Sequence, residues 1–164
     1  MPFVDFIVWQ TKWLNEFMRH QPGKFITIIE VEREVKESVF HILQESGQNV
    51  FLNPTKEIIE NYLYSAKSPI IIQNLITEAP TQKIDKLMTA TLEKILVDII
   101  SDSDLFSTFQ GRELHNIYQT AFERYKISQS KMKRYAKRRS KMEKLNSILS
   151  RTKIRQQVNI NAKT

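Results

Sequence analysis

Three carboxylates near the N-terminus, Asp5, Glu30 and Glu32, have the types and order of a metal-dependent nuclease core. A restriction-nuclease-like core sets an Asp on one strand and a Glu-x-Lys on the next, to hold Mg2+ and activate water. Here the strand reads Glu30-Val31-Glu32, so a second glutamate stands at the lysine position and the set is incomplete. The simpler reading is that Glu32 opens the following helix, where a carboxylate meets the positive end of the helix dipole. Glu93 and Asp98 lie on a strongly apolar segment and are assigned to its solvated edge. His20, His41 and His115 are far apart and in no ligand-spacing motif, which points to structural roles rather than a metal site. The three glycines, at 23, 47 and 111, allow neither a GxGxxG nor a Walker loop, and no GxSxG elbow is present. With no cysteine, a thiol nucleophile, a disulfide scaffold, an iron–sulfur cluster and a Cys-ligated zinc are excluded. These residues predict a protein that is not an enzyme and holds no metal or cofactor.

Charge carries the stronger signal. Residues 1–120 hold 11 basic and 16 acidic residues, whereas residues 121–164 hold 14 and 2. An acidic body therefore carries a basic C-terminal quarter, and the formal net charge is +7. Lys131, Lys133, Arg134, Lys137, Arg138 and Arg139 crowd into nine positions, with Met132, Tyr135 and Ala136 at the spacing of a buried helical stripe. Lys and Arg at this density suit phosphate contacts, which need charge but little geometry. The same residues also suit an acidic protein partner or a plain solvated face. A helix over 112–125, a short turn and this basic helix resemble a helix-turn-helix arrangement, although no side chain is assigned to base reading.

These groups need a scaffold, and the chain's patterning predicts one. Its 164 residues fit one domain, and 41% apolar with 26% charged residues fits a soluble globular protein. Aromatic and β-branched runs predict strands over 3–9, 25–31, 50–52 and 69–75. Thr11 is read as capping a short helix that ends near His20, ahead of Gln21-Pro22-Gly23. Amphipathic spacing predicts a helix over 32–44, with Val35, Val39, Phe40 and Leu43 on one stripe and Gly47 as its stop. Thr55 caps another helix reaching about Tyr64. The βαβαβαβ order predicts an α/β fold, a small mainly parallel four-stranded sheet with flanking helices. Helices follow over 91–100, 112–125 and from Ser128, the last one broken near Ser140. The expected organisation is an α/β core over 1–110, a helical basic region over 111–150 packed on it, and a disordered tail over 151–164. No apolar run approaches the roughly 20 residues of a membrane span, and no signal-peptide pattern opens the chain. A cytoplasmic protein with no membrane contact is expected.

Several stretches together resemble a known bacterial group: IVWQTKWLNEFMRHQPGKF, IIEVEREVKESVF, NVFLNPT, ATLEKILVDIISD, FQGRELHNIY and RYAKRRS. They resemble a family of uncharacterised proteins similar to the AbiEi-type antitoxins of type IV toxin–antitoxin systems, over about residues 5–142. The resemblance implies a transcriptional regulator and antitoxin whose partner is a nucleotidyltransferase-like toxin, counteracted without a stable complex. It also implies an N-terminal winged helix that reads DNA. Here the first strand begins almost at once, so the DNA-reading role of that domain is not expected of these residues. The resemblance carries no catalytic residues. Two positions depart from it: Thr89-Ala90, where a proline is expected, and Ser140, where a glycine is expected.

Overall fold

A computed structural model describes residues 5–154. The sheet is built from β1 (Phe6–Gln10), β2 (Thr27–Val31), β3 (Val50–Leu52) and β4 (Ile70–Asn74), in the order β1-β2-β4-β3. β2, β4 and β3 run parallel, while β1 pairs antiparallel with β2. The fold is therefore α/β with a mostly parallel four-stranded sheet and flanking helices, as the strand and helix pattern predicts. The antiparallel edge follows from the first connection. The expected helix after β1 is a 3-10 segment, Thr11–Phe17, and the chain returns beside β1 rather than crossing over. Thr11 does not cap that segment; its hydroxyl accepts the Ile26 amide at 3.0 Å and ties the two ends of the connection together.

Helix α1 (Lys36–Glu45) follows a 3-10 turn, Arg33–Val35, and lies over β3 and β4. Its predicted stripe is present but only half-buried, and none of its residues is fully enclosed. Gly47 ends the helix region with φ of +81°, a conformation that favours glycine. The Thr55 hydroxyl accepts the Ile58 amide at the start of α2 (Lys56–Ile58), which continues as a π-helical turn, Ile59–Leu63.

Sequence patterning did not mark the hairpin of β5 (Thr81–Ile84) and β6 (Leu87–Ala90). Its two-residue turn is Asp85-Lys86, with φ of 49° and 68°. Such turns ordinarily announce themselves with Gly or Asn, and here neither is present. The hairpin packs beside β1, where Thr89 donates to the Val8 carbonyl at 2.6 Å.

Among the described residues four helices follow: α3 (Leu92–Ser101), α4 (Arg112–Arg124), α5 (Gln129–Arg138) and α6 (Met142–Arg151). α3 is the hub. Residues Lys94 to Ile100 are all buried, because β6, α5 and α6 surround the helix. Its start is fixed by Thr91, whose hydroxyl accepts the Lys94 amide at 3.4 Å. Ile7, Trp9, Ile28 and Ile71 from one face of the sheet share a single core with α3, α4, α5 and α6. Trp9 stacks on Phe106 at 5.7 Å, and Tyr118 donates to the Leu96 carbonyl at 2.6 Å.

The basic helix does not form the expected helix-turn-helix with its predecessor. α5 packs chiefly on α3 and α6, not on α4. Part of the expected disordered tail is also ordered: Thr152 is buried, and the Gln119 side-chain amide donates to the Lys153 carbonyl and accepts the Lys153 amide. The rest of that tail, 155–164, lies outside the described residues, as do positions 3 and 4 of the first expected strand. No described helix is long and apolar enough to cross a membrane.

Candidate functional site: a basic helix face held by a buried ion cluster

Residues at alternate positions of a strand share a face, so Glu30 points with Ile28 toward α3. On α3, Lys94 and Asp98 are one turn apart and meet it there. The Lys94 ammonium lies 2.5 Å from Glu30 Oε2 and 2.5 Å from Asp98 Oδ2. Lys94 has no solvent exposure, and Glu30 is 2% exposed. Tyr135 of α5 completes the cluster by donating to Asp98 Oδ1 at 2.5 Å. One turn further along both helices, Arg139 donates to Asp102 Oδ2 at 2.7 Å. The two rungs, Asp98–Tyr135 and Asp102–Arg139, step forward together, so α3 and α5 run in the same direction.

Two carboxylates and one ammonium leave this interior with an excess negative charge. Burial, then the charge of Asp98, pushes the Glu30 carboxyl up to about 7, against the opposing pull of Lys94. The Lys94 ammonium is held above its ordinary range: burial works against the charge, but Asp98 and Glu30 outweigh it. Burial and the same carboxylates raise the Tyr135 hydroxyl well above a free phenol, so it stays a donor.

The rungs fix which side of α5 faces outward. Its buried stripe is Met132, Tyr135 and Ala136. Lys131, Lys133, Arg134, Lys137 and Arg138 lie on the remaining arc and are exposed. Arg134 approaches Glu78 at 3.8 Å, and a shallow cleft of about 560 Å3 beside it is lined by Glu78, Arg134, Lys137 and Arg138. Arg139 does not belong to this surface. Its side chain is 12% exposed and bound to Asp102, so it anchors the helix.

The three carboxylates of the incomplete nuclease-like pattern are not brought together. Glu30 faces inward onto Lys94, whereas Asp5 and Glu32 are exposed. Among the described residues, no three His, Asp or Glu side chains gather as a group able to hold a metal. His20, His41 and His115 are exposed and separate. Asp98 is not on a solvated edge, as expected from the sequence, but inside the cluster. Glu93 is half-buried and accepts the Ser128 amide at 3.0 Å, which helps to set the start of α5. The missed signal was the Lys-x-x-x-Asp pair inside an otherwise apolar helix, where charges this deep need partners.

A family model described as a family of unknown function (DUF6577) matches residues 1–155. No curated protein and no solved structure matches the chain. The match spans nearly all 164 residues, and the chain belongs to the DUF6577 family.

Proposed function

We propose that the protein is a non-enzymatic, nucleic-acid-binding regulator that acts through the outward face of α5. The observation that carries this reading is the five-residue cationic arc, Lys131, Lys133, Arg134, Lys137 and Arg138, on a helix pinned from behind by two polar rungs. Pinning matters because it fixes the helix that carries these side chains, so binding has to order the side chains but not the backbone beneath them. Lys141 and Lys144 extend the positive surface toward α6.

The test is binding against salt. If all five arc residues meet phosphates, the log–log slope is about −4.5 on a duplex and about −3.5 on a single strand. Replacing Lys133, Arg134, Lys137 and Arg138 by Ala removes most of the slope and most of the affinity. Unchanged binding by that variant would sink the reading.

A second reading is an antitoxin-like regulator that counteracts a nucleotidyltransferase-like toxin, as the sequence resemblance implies. Three of the six stretches that carry the resemblance meet in the buried cluster: Glu30 from IIEVEREVKESVF, Lys94 and Asp98 from ATLEKILVDIISD, Tyr135 and Arg139 from RYAKRRS. The residues that carry the resemblance are therefore in part the ones that hold this fold together. Co-expression with a nucleotidyltransferase encoded beside it should restore growth, and failure of the soluble protein to do so counts against the reading.

A further inference from the structure

A groove opens where the N-terminal turn of α5 meets the 3-10 segment Thr11–Phe17, and its volume is about 430 Å3. That is within the range of roughly 300–1000 Å3 found for small-ligand sites. Its lining mixes aliphatic and polar side chains with three aromatic ones, Trp13, Tyr125 and the buried Phe17 beneath them. Trp13 is 41% exposed and Tyr125 is 48% exposed, so two large rings at one groove have faces open to a ligand. Tyr125 is held in place, because its hydroxyl donates to the Glu16 carboxylate at 3.1 Å and its ring meets Phe17 edge-on at 5.8 Å.

The cations Lys126 and Lys131 stand at the same groove. Glu16 and Glu93 also line it: Glu16 is paired with Arg124 and accepts from Tyr125, and Glu93 accepts the Ser128 amide, so the groove itself is balanced in charge and its positive side is the one that Lys131 opens onto α5. Lys131 is the link, since it belongs to the groove and to the cationic arc of α5. Exposed aromatic faces beside a track of Lys and Arg suit a strand whose bases are unstacked and whose phosphates follow the positive surface. A duplex keeps its bases inside and has nothing to offer such a groove.

We infer that the ligand of this protein is single-stranded nucleic acid, with a base seated against Trp13 and Tyr125 and the adjoining phosphates on Lys126, Lys131 and the α5 arc. The inference rests on the proposed function of the arc and adds the strandedness and the base site.

The test uses the full chain and two labelled probes, a deoxythymidine oligomer of about 15 nucleotides and a duplex of the same length, a span within the usual single-strand site sizes. Trp9 is fully buried, so quenching of tryptophan emission on binding reports Trp13. The expected results are quenching by the single strand, tighter binding of the single strand than of the duplex, and a loss of about five- to a hundredfold in single-strand affinity for Trp13→Ala. Trp13→Phe restores most of the loss, and duplex affinity is unchanged in both variants. If Trp13→Ala and Tyr125→Ala bind the single strand like the unaltered protein, while the arc variant loses affinity, the groove assignment falls and the arc stands. If neither probe binds at low salt, both fall.

Discussion

Lys94 and Glu30 form an ion pair across 2.5 Å in the interior, joining the hub helix to the second strand of the sheet. Such a pair is costly to assemble and more costly to break, because removing one partner leaves the other charged and dry. Lys94→Met is expected to destabilise the fold by about 3–5 kcal/mol. The double replacement Lys94→Met with Glu30→Leu should cost less than the single one. Of the cluster's two carboxylates it leaves Asp98, still bonded by Tyr135. Urea denaturation of the three proteins measures this, and a double variant weaker than the single one would contradict it.

The same cluster sets a pH dependence with a definite sign. Glu30 titrates near 7 in the folded protein and at its ordinary value of 4.5 when unfolded. Between those values the folded chain holds a proton that the unfolded chain has released. This group's contribution to stability therefore falls as pH rises from about 4.5 to about 7, then levels off. The groups that set the shift are the burial itself, Asp98, Lys94 and Arg139. Glu30→Gln keeps the shape and removes the titration. Melting curves of the variant should lose the decline attributable to this window, and an identical profile in both proteins would refute the assignment.

What was legible from sequence was mostly local. Thr55 caps its helix through a hydroxyl three residues from its partner, and the helices expected from Thr91 and Ser128 begin there, whereas the Thr11 hydroxyl meets Ile26, fifteen residues away, and caps nothing. The Lys-x-x-x-Asp pair of α3 marks two charges on one face of an otherwise apolar helix, but nothing in TLEKILVDII says whether that face is buried. Their partners decide it, and Glu30 lies 64 residues from Lys94. The exposure of Lys131, Lys133, Arg134, Lys137 and Arg138 follows from helical period, and so does the inward turn of Arg139, which falls one turn after Tyr135 on the buried stripe. The groove pairs Trp13 with Tyr125, from opposite ends of the chain, and no local pattern joins them.

Arg138 and Arg139 are neighbours with opposite roles, and that separates stability from binding. Arg138 is exposed, so Arg138→Ala should change stability by no more than about 0.5 kcal/mol. On the proposed arc, it reduces the salt slope of nucleic-acid binding by about 1. Arg139→Ala removes a charge-assisted hydrogen bond to Asp102 and should cost about 1.5–3 kcal/mol. Its slope should remain that of the unaltered protein. Denaturation and salt titration on the two variants decide this, and a reversed pattern would remove Arg139 from the anchor.

Ser140 follows α5 with φ of 56°, in the left-handed region. The chain turns there through two bonds, Ser140 amide to the Lys137 carbonyl at 3.1 Å and Lys141 amide to the Ala136 carbonyl at 2.8 Å. This paired closure is a common helix ending, and its left-handed position is usually glycine. A side chain there crowds the backbone, which accounts for the glycine that the resemblance leads one to expect. Ser140→Gly should relieve the strain, but it also loosens the unfolded chain, so the net gain is at most about 1 kcal/mol. For a chain of this size that corresponds to about 2–4 °C in melting temperature. Ser140→Val makes the complementary test, because a β-branched side chain is least tolerant of this conformation and should lower the melting temperature. If glycine destabilises and valine does not, the turn does not carry the strain that its φ implies.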